Sequence, residues 1–229
     1  MNNSLTTQEK YLEKLYNNRF DHQQRKAKLL LWKTLIKDFL QKYVNPNGII
    51  LDIGGGYGEF INNIKAQEKF LIDLNPDAKL FADDNVTVLN MNILDLNDPE
   101  KFNHKFDTIF VSNFFEHLAS KEELIEVLVF CYKILNPEGS LLIIQPNFKY
   151  CYKEYYDFID HQLPITHISL QEILETIGFK LDVLIPRFLP YSTKGNPSSP
   201  LLLSIYLKIP LFWSILGSQM FIKVIKLAN

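Results

Sequence analysis

The chain has 229 residues, 47% of them apolar or aromatic and 22% charged, with a formal net charge of −2. That is enough apolar material for one real core, and it excludes wholesale disorder. The near-neutral balance argues against a nucleic-acid binder working through a broad phosphate-facing surface.

Two cysteines, Cys131 and Cys151, make neither a disulfide framework nor a cysteine-based zinc site. The start, MNNSLTTQEKYLEK, is polar and has no apolar signal core, which implies a cytoplasmic protein. The charge is graded along the chain. Residues 1–46 hold nine Lys/Arg against four Asp/Glu, and residues 180–229 hold six against one. Such basic ends are solvated faces or contacts for anionic surfaces.

Two helices are predicted at the N-terminus. Thr6 and Glu9 have capping-box spacing, and Leu29, Trp32, Ile36, Phe39, Leu40 and Tyr43 form one helical stripe. These residues, 1–47, read as a helical cover on a domain spanning 48–229. Strands are predicted at 48–53, 70–74, 86–90, 106–113, 140–145, 181–186 and 220–227. A glycine-rich turn at 54–58 leads into a predicted helix near 59–66. Ser120 with Glu123, and Ser169 with Glu172, mark two further helix starts, the second helix stopping at Gly178. Asn136-Pro137-Glu138-Gly139 reads as a turn. Seven strands separated by helical segments mean a doubly wound, mostly parallel α/β sheet covered on both faces.

Two stretches break the alternation. Residues 146–167 are rich in aromatics, and 190–218 hold four prolines and the apolar run LLLSIYLKIPLFWSILG. Lys208 and Pro210 interrupt that run, which is short for a bilayer span. It reads as a packed lid or an interfacial segment making peripheral membrane contact.

The strongest chemical signal is Asp52-Ile53-Gly54-Gly55-Gly56-Tyr57-Gly58. A glycine turn between strand and helix brings backbone close to a ligand. The dinucleotide pattern G-x-G-x-x-G needs glycine at 59, where Glu59 stands. Asp52 lies two residues before the first glycine, where a carboxylate suits a ligand ammonium. Asp73 ends the second strand, a position for gripping a ribose diol. Asn92-Ile93 follows the third strand, and Asn113 to Leu118 ends the fourth. The C-terminal strand ends line the ligand crevice of an open parallel sheet.

These motifs, with the NPEG turn and the helix ending in Gly178-Phe179, resemble the class I S-adenosylmethionine (SAM)-dependent methyltransferases over about residues 48–186. The resemblance implies a Rossmann-like fold, SAM as cofactor and S-adenosylhomocysteine (SAH) as product. It places Gly54, Gly55 and Gly56 along the methionine part and Asp52 toward its amine. Asp73 and the adjoining Leu74 meet the ribose, Asn92 and Ile93 the adenine, and Ser112 and Asn113 the methionine amine. Asn92 stands where the family often has Asp.

The acceptor is expected to be a small molecule methylated at O or N, such as a sugar or natural-product intermediate. A lipid or quinone at a membrane surface is one alternative, and a non-catalytic protein of the same fold another. An NAD(P) oxidoreductase is disfavoured by Glu59 and Asp52. Base candidates are His161, favoured, with Asp160, His167 and His117. Glu116-His117 reads more as an ordering element at the sheet end than as a catalytic pair. Tyr152, Tyr155 and Tyr156 are candidate ring contacts for the acceptor, or packed cover. No His/Asp/Glu set shows metal spacing along the sequence, so no metal is expected. A monomer or homodimer is expected.

Overall fold

The computed structural model describes residues 22–95, 102, 106–191 and 199–228. The Thr6–Glu9 box lies outside the described residues. Runs of Ile, Leu, Val and Phe form the strands β1 (Ile49–Ile53), β2 (Glu68–Asp73), β3 (Val86–Asn90), β4 (Phe106–Ser112), β5 (Leu135–Pro146), β6 (Phe179–Ile185) and β7 (Gln219–Lys226). They make one sheet in the order β3-β2-β1-β4-β5-β7-β6. The first five strands pair in parallel, and β7 runs antiparallel between β5 and β6. The strand order reverses between β1 and β4, the crevice where open α/β sheets bind ligands.

Side chains alternate across the sheet, so each strand feeds two cores. Leu51, Ile53, Ile109, Val111, Leu141 and Ile143 face α3 (Lys121–Ile134) and α5 (His167–Ile177), which offer Leu124, Val127, Leu128, Leu170 and Leu174. Ile50, Phe110, Leu142, Ile144 and Phe221 face Leu35, Ile36, Phe39 and Leu40 at the end of α1 (His22–Leu35) and the π-turn after it. Phe60, Ile61 and Ile64 fill the same side. The predicted N-terminal stripe is thus one layer of the sheet sandwich, and its aromatic members do specific work. Phe39 meets Phe188 at 4.3 Å and Phe221 at 5.0 Å between ring centres.

Three local expectations differ from the structure. Residues 56–63 are successive turns instead of a regular helix. Gly56 and Gly58 have φ of +53° and +73°, so no right-handed helix begins before Glu59, and β2 follows from Glu68. Helix α5 starts three residues early. Thr166 is its cap, and the Ser169 hydroxyl takes the role usually given to Glu, so each side chain accepts from the other's backbone N–H. The Asn136–Gly139 turn lies inside β5 as an irregularity, with Glu138 at φ +62° and Asn136 Nδ2 donating to Asp107.

The 146–167 stretch holds the short α4 (Phe148–Cys151), and another short helix, α2 (Ala78–Phe81), lies between β2 and β3. The apolar run folds into α6 (Pro200–Lys208) and α7 (Pro210–Leu216), split where Pro210 removes a helix donor. Tyr206, Leu207 and Trp213 anchor them to the α1 side of the core. Among the described residues, no helix is long and apolar enough to cross a membrane.

Candidate active site

The glycine turn sits where β1 and β2 end together. Gly54 N–H donates to Ile72 O at 2.8 Å, tying the two strand ends. Each glycine is there for a different reason. A Cβ on Gly54, whose φ is +68°, would lie 2.7 Å from the Phe114 ring. A Cβ on Gly55 would lie 2.3 Å from Leu71 Cδ1 and 2.4 Å from Asp52 Oδ2. A Cβ on Gly56 would meet nothing within 4 Å. The first two are crowded by protein, whereas Gly56 borders open space that a bound ligand could fill.

Asp73 fixes the turn from the neighbouring strand. Its Oδ2 accepts from Gly56 N–H at 2.7 Å and its Oδ1 from Asn75 N–H at 2.8 Å. Burial pushes its carboxyl up, against those two hydrogen bonds. Each oxygen keeps a second lone pair for a hydroxyl. Asn90 Nδ2 donates to the carbonyls of Asp73 and Leu74, and the Leu74 side chain is exposed. Asn92 Oδ1 accepts from Leu94 N–H at 3.1 Å, which starts the short 3-10 turn containing buried Ile93. Beside β1, Asn113 takes a left-handed φ of +49°, and its Nδ2 donates to Ser112 Oγ. The cofactor candidates therefore share one edge of the sheet.

Asp52 is 2% exposed, and its Oδ2 has no hydrogen-bond partner. Burial, then the charges of Asp73 and Glu59, raise its carboxyl well above the ordinary range. A folded-state value above the unfolded one means the native state holds the proton more tightly. Stability then falls as pH rises from the unfolded carboxylate range through the raised value. An Asp52→Asn variant without ligand is expected to be more stable than the parent at neutral pH, by about 1–3 kcal/mol. That gain should vanish on acidification, as seen in denaturant midpoints across pH. An equal or lower midpoint at neutral pH would refute the charge penalty.

The acceptor-side candidates separate into three groups. His117 Nδ1 lies 3.0 Å from Asp160 O and 3.4 Å from Asp160 Oδ2, so Asp160 serves His117 and the backbone path into His161. His161 stacks on Phe158 and sits 5.3 Å from His117 between ring centres. His167, by contrast, opens α5. Asn147 Nδ2 donates to its Nδ1 at 2.9 Å, so its lone pair is already committed, and burial followed by nearby Lys149 lowers its pKa. It stacks on Tyr150, away from the expected role of base. Of the tyrosines, Tyr152 and Tyr156 are exposed. Tyr155 is fully buried and its hydroxyl donates to Leu163 O at 2.6 Å, so it braces the loop and cannot offer a ring face to an acceptor.

Several contacts were not legible in the sequence, although Phe114 and Glu116 themselves belong to the Asn113–Leu118 strand end already read there. Phe114 packs over Gly54, and Tyr191 reaches His161 Nδ1 at 3.2 Å from a proline-rich stretch with no periodic pattern. Buried Glu116 accepts from Gln145 Nε2 at 2.6 Å, and burial raises its carboxyl. Arg25 of α1 lies 4.3 Å over the Tyr57 ring and donates to its hydroxyl, while Lys28 pairs with Glu59 at 2.9 Å. The only hint of that contact was Tyr57 standing inside the glycine run. One ligand-capable atom each from Glu116, His117 and His161 lies within 4.8 Å of the others. Linear spacing hides this trio, because His161 comes from a different segment.

A family profile described as "Methyltransferase domain" matches residues 20–183. No curated protein sequence matches. Similar solved structures include a SAM-dependent methyltransferase from Archaeoglobus fulgidus, at 22% identity and TM-score 0.61, covering 85% of this chain and 94% of that one. The N-methyltransferase NodS from Bradyrhizobium japonicum, solved with SAH, has 15% identity and TM-score 0.56, covering 88% and 86%. These likenesses show the fold. The family match takes in the glycine turn, both strand-end carboxylates and the histidine cluster, more than two thirds of the chain, and with it the protein belongs to the methyltransferase-domain family of class I SAM-dependent enzymes.

Proposed function

We propose that the enzyme moves the SAM methyl group to an oxygen or nitrogen of a small molecule, a sugar or natural-product intermediate being the favoured class. The observation that carries this is the pair of features at the glycine turn: open space beside Gly56, and a buried Asp52 oxygen with no partner. The cofactor supplies an activated methyl group on a cationic sulfur. The protein contributes alignment, exclusion of water and handling of one proton.

In this reading Asp52 meets the methionine ammonium, with Ser112 and Asn113 beside it. The backbone of Gly54 to Gly56 lies along the methionine part. Asp73 accepts from the ribose hydroxyls, with Leu74 alongside. Asn92 Oδ1 accepts from the adenine amino group, and Ile93 N–H donates to the ring. The acceptor's lone pair forms the bond to the methyl carbon as the carbon–sulfur bond breaks, and its proton leaves toward His161. Tyr152 and Tyr156 are exposed on the same loop and offer ring faces to the acceptor.

Calorimetry with SAH tests the reading directly. Saturable binding of about one SAH per chain is expected, and no binding sinks it. His161→Ala should keep SAH affinity and lower turnover by about 10²–10⁴-fold, measured as SAH release with panels of hydroxyl and amine acceptors. Unchanged turnover would remove His161 from the chemistry.

One observation favours a second acceptor class. Leu201, Leu211, Ile215 and Leu216 are each more than half exposed on α6 and α7, flanking Lys208. An apolar surface of this kind with a cation suits the edge of a lipid layer. Co-sedimentation with anionic vesicles should recover the protein, and Leu211→Glu/Ile215→Glu should release it. Absence of binding by the parent protein would leave only soluble acceptors.

A further inference from the structure

We propose that Glu116, His117 and His161 form a site for a divalent first-row transition ion, with two imidazole nitrogens and one carboxylate as donors. Glu116 and His117 stand in the 3-10 turn Phe115–His117 after β4, and His161 in the loop between β5 and α5. One ligand-capable atom from each of the three lies within 4.8 Å of the other two. That spacing suits three ligands around one ion, each about 2.0–2.2 Å away.

The hydrogen bonds fix which nitrogen of each ring carries a lone pair. Asp160 meets His117 Nδ1 with a carbonyl and a carboxylate oxygen, and both only accept. Nδ1 of His117 is therefore the donor, and Nε2 has the lone pair. Tyr191 has a single O–H, which it donates to Tyr155 O at 3.1 Å. Its oxygen must then accept from His161 Nδ1–H, which again leaves the lone pair on Nε2. Imidazole ligands held through their other nitrogen by a carbonyl, carboxylate or hydroxyl are the usual outer support of a metal site.

Two buried groups next to these rings are only partly compensated; Glu116 has its own backbone N–H, the Gln145 amide and the His117 ring beside it, and a fixed cation would add to these. Glu116 is 1% exposed, and the amide of Gln145 gives its Oε2 a hydrogen bond but no charge. Burial of a carboxylate is costly unless a cation balances it. Gln145 is itself fully buried, and its Oε1 has no hydrogen-bond partner. A water on the ion would satisfy that oxygen.

Three protein ligands leave positions open. The donor set of two nitrogens and one oxygen suits Zn²⁺, Mn²⁺, Fe²⁺ or Co²⁺ better than Ca²⁺ or Mg²⁺. An ion here would lower the pKa of an acceptor hydroxyl, which narrows the acceptor to an oxygen nucleophile. His161 would then act as a ligand of the ion instead of taking the proton, which would pass from the ion-bound hydroxyl to solvent water. This step rests on the methyl-transfer reading; the metal site does not.

The test uses full-length protein stripped by a chelator and titrated with Co²⁺, read by its visible ligand-field absorption, with Zn²⁺ as competitor. One ion per chain is expected. His117→Ala and His161→Ala should each weaken Co²⁺ binding by at least about tenfold, and Tyr191→Phe, which only positions His161, by about tenfold. His161→Ala keeps the test independent of folding, since Glu116→Gln alters a fully buried group. SAH calorimetry on the same stripped samples separates the two ideas. SAH binding without Co²⁺ binding overturns the metal site and spares the cofactor reading. Co²⁺ bound equally by the parent, His117→Ala and His161→Ala places the ion elsewhere and also overturns it. Co²⁺ binding that needs both histidines, in a protein that does not bind SAH, upholds the metal site and overturns methyl transfer.

Discussion

A Gly56→Arg variant is expected to fold and to lose SAH binding by at least about 100-fold, near 2.7 kcal/mol. The substitution has two separable effects. The backbone effect comes from φ of +53°, which costs a residue with a Cβ about 1–2 kcal/mol. For a chain this long, each kcal/mol moves the melting temperature by roughly 2–4 °C. The new Cβ itself is not crowded in the empty protein, because nothing lies within 4 Å of it. The arginine side chain instead enters the space assigned to the methionine part of the cofactor. Gly55→Ala is the contrasting control. Its methyl group is forced against Leu71 and Asp52 and should lower the melting temperature by more, through overpacking of about 1–3 kcal/mol. If Gly56→Arg bound SAH as the parent does, the open space beside Gly56 would not be the cofactor's.

The same comparison shows why some of the site was legible and some was not. Glycine turns and strand-end carboxylates are local: Gly54, Gly56 and Asp73 announce themselves through spacing, and the strand order then carries them to one edge. The seven strands were readable because most are short apolar runs bounded by polar or turn residues. The turns after Gly58 were not, since the helical stripe Phe60, Ile61, Ile64 reports which side is buried and not the φ angles of the glycines ahead of it. Tyr155 misled for a related reason. A tyrosine among exposed tyrosines looks the same in sequence whether its hydroxyl faces solvent or Leu163 O. The Glu116–His117–His161 trio and its support from Tyr191 exist only after the loop following β5 folds back on the turn following β4. No spacing along one segment encodes that.

Asp73→Ala is expected to weaken SAH binding by about 2–4 kcal/mol, roughly 30- to 1,000-fold, through two losses. The first is direct, the hydrogen bonds assigned to the ribose hydroxyls. The second is structural, since Gly56 N–H and Asn75 N–H both lose their acceptor. Asp73→Asn shows why a carboxylate stands here. Two backbone donors approach its two different oxygens, and an amide can answer only one of them, whichever way it is turned. Asn should therefore lower the melting temperature nearly as much as Ala does. The two losses are told apart with a cofactor analogue lacking the ribose 2′-hydroxyl. If Asp73 binds the diol, the parent protein prefers SAH over the 2′-deoxy analogue, and Asp73→Ala abolishes that preference. If Asp73 only braces the turn, both proteins discriminate equally while the variant melts lower. Calorimetry of two proteins with two ligands decides between a ribose contact and a backbone clamp, because a clamp changes both affinities by the same factor.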